Sequence, residues 1–388
     1  VISTNSEGKI TGQYYATEPE PGSTVELTID LELQQTVEAI LAEAVTAMNK
    51  DGLTDRGAAA VVELVDSGEL LALANYPTYD LSTYRQDYTE LSEDPAHPLY
   101  NRATSTPYAP GSTIKPLTAV AALEEGIVSP TDKIYSPYTW RYPGDPNSYS
   151  NCAGGSHGWI NVSQAITKSC NYFFSEMGYQ LGMDNLREYL SAFGLGAHTG
   201  IETGDNTGTL PENRPGEDQA PWAGYGQANQ AYTPLQLANY ICTLVSGGVR
   251  REPHLLKAVK SYDNSQVLAV GNTEPVQTLE LHDATLEAVK KGMYGYTQPG
   301  GSVAAYFQNC VVTAGAKTGT SQLGGDQKDN GVFVCFAPYD DPEIVVSIVI
   351  EHAGSGAALA PSAVKILNAY FSADNVSGSI TGENQLLP

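Results

Sequence analysis

The sequence predicts an α+β fold, or a mixed α/β sandwich, in which one sheet lies between helices. Three observations support this prediction: an amphipathic helix followed by an apolar hairpin near the start, a helical middle, and three apolar strands followed by a helix near the end. Nearly unbroken apolar strands are typical of a sheet that is covered on both faces. We therefore expect the early hairpin and the late strands to share one sheet.

The first elements follow a polar start. Residues 1–24 are rich in Gly, Pro and Glu, and we interpret them as a linker or as the remnant of an upstream module. Residues 25–29 alternate in polarity, which predicts a short strand. Asp30 then precedes apolar residues at the helical period, so it is placed to cap a helix that ends near Gly52.

A hairpin and a long irregular region come next. The apolar runs 58–65 and 70–74 are separated by a short polar turn, which predicts a β-hairpin. Residues 77–110 are rich in Tyr, Pro and acidic side chains and show little periodicity. We expect them to form loops that cross one face of the protein.

The central part of the chain alternates helical patterns with Gly-rich turns. Residues 162–178, 184–193 and 234–245 have the apolar spacing of helices. The last of these has Thr233 as its predicted N-cap and Pro234 at its first position, where a backbone N–H group is not needed.

Strands return towards the end of the chain. Residues 314–321, 331–337 and 343–351 are predicted strands joined by turns, and residues 361–371 are a predicted final helix. Residues 372–388 are small and polar, so we expect a flexible C-terminal tail.

Composition excludes several classes of protein. With 41% hydrophobic and 16% charged residues, the 388-residue chain is expected to fold into one large or two ordinary domains. Its formal net charge of −24 argues against binding to nucleic acid or to anionic lipid surfaces. No apolar run is long enough to cross a bilayer, and we expect the sequence to be a piece of a longer chain whose membrane anchor lies outside it.

A candidate nucleophile lies where two backbone breakers give way to a helical pattern. Pro110 and Gly111 precede Ser112, and Lys115 follows three residues later. Positions three apart lie on one helix face, so the Lys115 amine can reach the Ser112 hydroxyl and act as its base. Pro116 is tolerable only near a helix start, which places Ser112 at a helix N-terminus, where backbone N–H groups favour an oxyanion.

Two further clusters supply partners for this serine. Ser169 and Asn171 pair a hydroxyl with a carboxamide near the middle of the predicted helix 162–178. Lys317 and Gly319 face the same way on a predicted strand. Because Gly319 has no side chain, we expect a substrate backbone to lie close against this strand.

Each of these motifs is common on its own, but the three of them in this order resemble the motifs of a known protein family. Ser112-x-x-Lys115, Ser169-x-Asn171 and Lys317-Thr318-Gly319 resemble the motifs of penicillin-binding proteins and serine β-lactamases, and their surroundings resemble class B penicillin-binding transpeptidases. The resemblance implies the penicillin-binding-protein and serine β-lactamase fold, an antiparallel sheet covered by helices on both faces with a helical subdomain. It implies a transpeptidase domain over residues 25–371, with residues 1–24 as the end of an N-terminal pedestal module.

The resemblance also implies a role for each motif residue. Lys115 would accept the proton of Ser112, which would attack the carbonyl between two D-alanines and form an acyl-enzyme. The backbone N–H groups of Ser112 and Thr320 would hold the oxyanion.

The second and third motifs would act on the rest of the substrate. Ser169 would relay a proton towards the leaving amine, and Asn171 would hydrogen-bond the substrate amide. Lys317, Thr318 and Thr320 would bind the terminal carboxylate.

The implied activity is that of a D,D-transpeptidase that cross-links peptidoglycan stem peptides, needs no cofactor for its chemistry and is acylated by β-lactam antibiotics. Such an enzyme would work at the extracytoplasmic face of the bacterial cell membrane, anchored by an N-terminal helix, with membrane cell-wall synthesis proteins such as a glycosyltransferase as partners. A D,D-carboxypeptidase or β-lactamase, which empties the acyl-enzyme with water, is one alternative. A β-lactam sensor domain, acylated without turnover, is another, although sensor chains are typically shorter.

A cysteine and histidine cluster stands beside the second motif. Cys170 is the middle residue of that motif, and Cys152 and His157 lie shortly before it. Two thiols and an imidazole are compatible with tetrahedral zinc, with Asp145 or another acid as the fourth ligand. The alternatives are a disulfide between Cys152 and Cys170, or two unconnected buried thiols while His157 caps a turn. The odd total of five cysteines does not indicate a disulfide framework.

Overall fold

The computed structural model of the protein describes residues 2–13, 21–53, 56–322 and 328–373. Its helices, numbered in chain order, are α1 (Leu31–Met48), α2 (Tyr84–Glu93), α3 (Arg102–Ser105), α4 (Lys115–Glu124), α5 (Val162–Thr167), α6 (Asn171–Ala192), α7 (Ala220–Ala223), α8 (Pro234–Val245), α9 (Asp283–Thr297), α10 (Ala304–Phe307) and α11 (Ala360–Ala373).

The strands are numbered in the same way. They are β1 (Ile2–Thr4), β2 (Ile10–Gln13), β3 (Thr24–Leu27), β4 (Ala58–Leu64), β5 (Leu70–Tyr76), β6 (Ile134–Ser136), β7 (Thr139–Tyr142), β8 (Asp145–Asn151), β9 (Gly158–Ile160), β10 (Val249–Arg250), β11 (Leu256–Lys260), β12 (Val267–Val270), β13 (Gln277–Thr278), β14 (Gly315–Ser321), β15 (Asn330–Ala337) and β16 (Ile344–Ile350).

The centre of the protein is a five-stranded antiparallel sheet in the order β14-β15-β16-β4-β5. The register pairs Lys317 of β14 with Val334 of β15, and Val346 of β16 with Val62 of β4. The early hairpin β4-β5 therefore joins the late strands, which confirms the predicted shared sheet.

Helices cover both faces of this sheet, as the sequence predicted. Val61 of β4 belongs to a core built with α4, α6, α8 and α9, whereas its neighbour Val62 belongs to a second core built with α1 and α11. β15 and β16 are buried along their whole length because both of their faces are covered. The α+β fold with a helical region on one side of the sheet is thus confirmed.

The two helix starts predicted from capping residues are confirmed. The Asp30 carboxylate accepts the Leu33 N–H group at 3.0 Å and begins α1. Thr233 begins α8 in a reciprocal capping box with Gln236, and Pro234 occupies the first position. These bonds satisfy N–H groups that have no partner within the helix, which fixes where each helix begins.

Residues 77–110 are less irregular than predicted, because they contain α2 and the short α3. No side chain of α2 is buried. Its apolar side chains, Tyr84, Tyr88 and Leu91, form only a short stripe among polar residues, which is a weak helical signal in the sequence.

The single helix predicted over residues 162–178 is also wrong. α5 ends at Thr167 and α6 begins at Asn171, so the chain breaks between them at the second motif. α6 then runs through the predicted helix 184–193, with a kink at Gly182.

Residues near both ends of the chain can be compared with the predicted domain limits at residues 24 and 371. Residues 2–13 contain the antiparallel pair β1-β2, and β3 pairs with β11 in a separate three-stranded sheet. The tail predicted as flexible over residues 372–388 lies outside the described residues from residue 374 onwards. Within the described ranges, no helix combines the length and the apolar character that a membrane span requires.

Candidate active site

Ser112 lies in a 3-10 turn, Gly111–Ile114, that leads directly into α4. The turn packs against β14 so closely that a Cβ atom on Gly111 would come within 2.7 Å of the Thr320 backbone nitrogen. The Thr113 side chain donates to the Pro110 carbonyl at 2.7 Å, and the Tyr240 hydroxyl of α8 donates to the Thr113 carbonyl. The half-buried Ser112 side chain is therefore held by contacts on both sides of its turn.

Lys115, the first residue of α4, is fully buried and bonded to the second motif. Its Nζ atom donates to the Ser169 carbonyl at 2.7 Å, to the Ser169 hydroxyl at 3.1 Å and to the Asn171 side-chain oxygen at 2.7 Å. Burial, and then the charge of Lys317, hold the pKa of Lys115 well below its usual range. Burial favours the neutral amine, which is the form that a general base requires; this amine can donate two of these three bonds and accept the third from the Ser169 hydroxyl.

The second motif occupies the break between α5 and α6. Ser169 has the positive φ of 51°, and Cys170 caps α6 by accepting the Phe173 N–H group at 3.4 Å. Asn171 donates from its amide to the Asn151 carbonyl at 2.8 Å. The break turns the Ser169 carbonyl and hydroxyl towards Lys115, which one continuous helix would not do.

The third motif lies on β14 at the edge of the central sheet. Lys317 is fully buried, and its Nζ atom donates to the Thr318 carbonyl at 3.0 Å and lies 4.3 Å from the centre of the Tyr296 ring. Burial lowers the pKa of Lys317 to about 7. Thr318 and Thr320 point to the other side of the strand and are half-buried, and the Thr318 hydroxyl lies 2.5 Å from the Tyr296 hydroxyl.

Gly319 has a different role from the one predicted. A Cβ atom there would overlap the Pro110 carbonyl oxygen and lie 3.1 Å from Thr113 Cγ2. The missing side chain therefore admits the turn that carries Ser112, and this space is not open to a substrate backbone.

The structure brings the motif residues together, with one exception to the expected contacts. Among the described residues, no hydrogen bond joins Lys115 to Ser112, and the three hydrogen bonds of Lys115 are with Ser169 and Asn171. Two aromatic residues that shape the site, Tyr240 and Tyr296, were missed. No motif marks them, since their roles depend only on where α8 and α9 pack.

The cysteine and histidine cluster is formed as predicted from the sequence. Ligand atoms of Cys152, His157 and Cys170 all lie within 4.8 Å of one another, and the two sulfur atoms are 3.5 Å apart. The bond with Cys170 lowers the pKa of Cys152 to about 5, and the same contact raises the pKa of Cys170. Asp145 lies outside this cluster, because its carboxylate accepts bonds from Asn147 and Ser148.

One further observation bears on a bound metal. The Nδ1 atom of His157 is buried and has no hydrogen-bond partner among the described residues. A thiol poised to ionise beside an unpartnered imidazole fits the donor set of zinc. The same sulfur separation also leaves the predicted disulfide open, although both cysteines are free thiols in the structure.

Comparisons with known proteins agree with the fold. The family model described as "Penicillin binding protein transpeptidase domain" matches residues 58–370. Peptidoglycan D,D-transpeptidase MrdA of Escherichia coli (strain K12) is 31% identical, over 96% of this chain and 62% of its own length. The chain thus spans less than two thirds of this relative.

Solved structures give the same result. The imipenem acyl-enzyme of penicillin-binding protein A from Mycobacterium tuberculosis has a TM-score of 0.77 at 26% identity, covering 90% of this chain and 80% of its own. A structure titled "Structural coordination of polymerization and crosslinking by a peptidoglycan synthase complex" has a TM-score of 0.81 at 27% identity, covering 98% and 68% of the two chains. By sequence, fold and motif geometry, the chain belongs to the transpeptidase-domain family of penicillin-binding proteins.

Proposed function

We propose that the protein is a serine D,D-transpeptidase that cross-links peptidoglycan stem peptides and is inhibited by β-lactam acylation. One observation carries the proposal: the buried Lys115 amine forms hydrogen bonds with both Ser169 and Asn171. Its helix begins directly after the turn of Ser112, and the charge of Lys317 helps to lower its pKa. The name of the Escherichia coli relative supports the reaction class. The acyl-enzyme of the Mycobacterium tuberculosis protein supports covalent capture by the family.

In the proposed acylation, the Ser112 oxygen bonds to the carbonyl carbon of the penultimate D-alanine. Its proton passes to the neutral Lys115 amine, and the oxyanion is held by the N–H groups of Ser112 and Thr320. When the peptide C–N bond breaks, Ser169 relays a proton from Lys115 to the departing D-alanine amine. The half-buried Thr318 and Thr320 side chains and the Lys317 charge bind the terminal carboxylate.

In the second half-reaction, an amine of a neighbouring stem peptide attacks the acyl carbonyl. The new C–N bond forms, the bond to Ser112 breaks, and the amine proton returns to the serine oxygen through Lys115. A β-lactam would acylate Ser112 in the same way and remain attached. This chemistry requires no cofactor.

The decisive experiment follows a fluorescent penicillin on intact protein by mass. We expect one adduct on the parent and none on Ser112→Ala, whereas Ser92→Ala, which alters an exposed serine of α2, labels like the parent. No adduct on the parent, or an adduct that persists without Ser112, would overturn the proposal.

Turnover separates the alternatives that share the acyl-enzyme. With a D-Ala-D-Ala peptide and an amine acceptor, a transpeptidase yields the amide-linked product and a carboxypeptidase yields the hydrolysed peptide. Rapid loss of the penicillin label indicates a β-lactamase, and stable labelling without any peptide turnover indicates a sensor.

We further propose that Cys152, His157 and Cys170 hold a structural zinc ion. The ion would fix Cys170 at the start of α6 and so fix Ser169 and Asn171 on either side of it. Protein purified without added zinc is expected to contain the metal, Cys152→Ser to lose it, and Cys335→Ser, at a buried cysteine outside the cluster, to keep it. No metal in the parent, with thiol titration showing the two cysteines oxidised, would favour the disulfide instead.

The setting of the enzyme is also part of the proposal. We place it at the extracytoplasmic face of the bacterial cell membrane, with residues 1–24 ending a pedestal module and residues 25–371 forming the catalytic domain. The match covers 62% of the Escherichia coli relative, so the proposed membrane anchor would lie in a region outside the matched residues. The neighbour that coordinates polymerisation with cross-linking supports a glycosyltransferase as a partner.

A further inference from the structure

We propose that a cavity beside Ser112, which we call the acidic cavity, binds the amine-bearing side chain of the acceptor stem peptide. This inference rests on the proposed transpeptidase function and adds a substrate site to it. The cavity has a volume of about 720 Å³, and its lining includes three aromatic side chains, Tyr142, Trp222 and Tyr225, and three acidic ones, Asp145, Glu217 and Asp218, beside Arg214 and uncharged residues.

The acidic cavity adjoins the catalytic residues directly. The Tyr225 ring, which forms part of its wall, has its centre 6.0 Å from Lys115 Nζ. Gln322, another lining residue, follows the last residue of β14. Gln227 follows Gly226, which packs on the Gly111 carbonyl so closely that it has no room for a side chain. A molecule in this cavity therefore has a short path to an acyl group on Ser112.

The aromatic wall offers flat surfaces rather than a deep apolar slot. Trp222 stacks on Tyr142 with ring centres 6.2 Å apart and planes 17° apart, and Trp140 lies perpendicular to Trp222 behind it. Such faces pack against the aliphatic stem of a long side chain and attract an ammonium group at its end.

The charges of the lining residues also favour an ammonium group. Asp145, Glu217 and Asp218 face one cation, Arg214, whose contact with Glu217 is long at 3.9 Å and joins two exposed side chains. Bonds from Ser148 and then from the Asn147 backbone hold the pKa of Asp145 below its usual range, so its carboxylate is ionised at neutral pH. The described lining therefore carries excess negative charge, which attracts an ammonium group and repels a carboxylate.

A second cavity near the active site differs from the acidic cavity in the charge of its lining, and this difference indicates which of the two binds the acceptor. It has a volume of about 650 Å³, lies next to Ser169 through Lys168, and has no carboxylate among its described lining residues. The donor strand must bring a terminal carboxylate to Lys317, whereas the acceptor must bring an amine. Of the two cavities, the acidic one suits the amine.

Capture and attack are separate steps. The ammonium group would first be held near Glu217 and Asp218, then lose one proton to solvent water and attack the acyl carbonyl as a neutral amine. The C–N bond forms and the Ser112 C–O bond breaks, while Lys115 takes a second proton from the attacking nitrogen and gives it to the serine oxygen. The acidic residues thus raise acceptor affinity without taking part in bond formation.

The test measures transfer from a thioester D-alanyl donor to a lysine-containing stem-like peptide in the double variant Glu217→Gln/Asp218→Asn. The amide that replaces the Asp218 carboxylate keeps an oxygen that can accept the bond from the Ala220 N–H group. We expect the acceptor KM to rise on the order of tenfold, because two weak contacts with exposed charges are lost together. The acceptor-saturated kcat should stay near the parent value, and the change in KM should shrink at high salt.

The control removes two carboxylates elsewhere, in Glu90→Gln/Glu93→Gln on the exposed surface of α2. An equal rise in KM in this control, or an unchanged KM in the cavity variant, would overturn the inference. If the double variant fails to fold, Glu217→Lys at an exposed position gives the same test with a larger expected rise. Penicillin labelling is measured on every protein: an unlabelled parent would refute the proposed function, whereas normal labelling with an unchanged acceptor KM would refute only the acidic cavity.

Discussion

At the scale of single residues, the site contains two lysines that are fully removed from solvent, Lys115 and Lys317. Burying an ammonium group is costly, and a depressed pKa is the usual sign that the folded protein disfavours the charged form. In the proposed mechanism both lysines must be buried in the active site: Lys115 as a neutral amine, and Lys317 as a cation whose pKa is close to neutral pH. Stability and activity should therefore respond in opposite directions when these side chains are replaced.

The first prediction concerns Lys317→Met, which removes the charge and keeps a similar volume. We expect acylation by penicillin to be lost and the free energy of unfolding at pH 6 to rise by about 2–4 kcal/mol, because the variant no longer buries an ammonium group. Thermal unfolding of the two proteins at pH 6 checks it. Lys257→Met, at an exposed position of β11, is the matched control and should change little.

The same comparison has a definite pH dependence. The pKa of Lys317 is about 7 in the folded protein and near its ordinary value of 10.5 when unfolded. Between these values the unfolded chain binds the proton and the folded protein does not, so the stability of the parent rises with pH. The advantage of Lys317→Met should be constant below pH 7 and shrink from pH 7 to pH 10. An advantage that grows over this range would contradict the argument.

The motif residues themselves could be predicted from the sequence because their spacing is local. Ser112 and Lys115 are three residues apart, and Ser169 and Asn171 are two residues apart. The hydrogen-bond partners of these motif residues could not be predicted from the sequence. Lys115 bonds the second motif in preference to Ser112, and this follows from how α4 and α6 pack.

At the scale of elements, the active site is made where regular structure stops. Ser112 sits in a 3-10 turn before α4, and Ser169 sits in the break between α5 and α6. The break was missed because apolar spacing continues on both sides of it. The left-handed backbone of Ser169 and the extended backbone of Cys170, which local periodicity does not reveal, separate the two helices.

The second prediction tests the contact between β14 and the turn of Ser112. In Gly319→Ala, the new Cβ atom would overlap the Pro110 carbonyl and push the turn away from the strand. We expect penicillin acylation to slow at least about tenfold, with a loss of ~1–3 kcal/mol in stability from overpacking. Gly22→Ala, where a Cβ atom meets nothing within 4 Å, is the control. Normal acylation in Gly319→Ala would show that the turn can move without harm.

At the scale of the whole molecule, one sheet separates two apolar cores, and its strands come from both ends of the domain. This architecture could be predicted because buried strands carry long apolar runs. The buried polar groups inside this architecture could not be predicted from the sequence. Glu63 lies in β4 with no exposure, accepts a bond from Asn239 of α8 at 2.7 Å, and also contacts the Cys242 thiol of α8.

The third prediction uses this carboxyl group. Burial raises the pKa of Glu63 to about 8, so between pH 4.5 and pH 8 the folded protein holds a proton that the unfolded chain releases, and stability falls as pH rises. Glu63→Gln keeps the bond to Asn239 and removes this loss. We expect it to match the parent within about 1 kcal/mol at pH 4.5 and to exceed it by about 2–4 kcal/mol at pH 9.

Chemical denaturation at the two pH values measures this difference. Glu90→Gln on α2 is the exposed control and should show no pH-dependent gain. Equal stability of Glu63→Gln and the parent at pH 9 would mean that the folded protein hydrates this carboxylate.

The pairing of β16 with β4 also sets the order in which a newly made chain can become reactive. The hairpin β4-β5 leaves the biosynthetic machinery early, but its neighbour in the sheet, β16, is the last strand to emerge in the part of the chain that the structure describes. Until that strand arrives, β14 lacks a completed sheet to hold it against the turn of Ser112. A partly synthesised chain should therefore be unable to attack any peptide, and covalent penicillin labelling should count only molecules whose folding is finished.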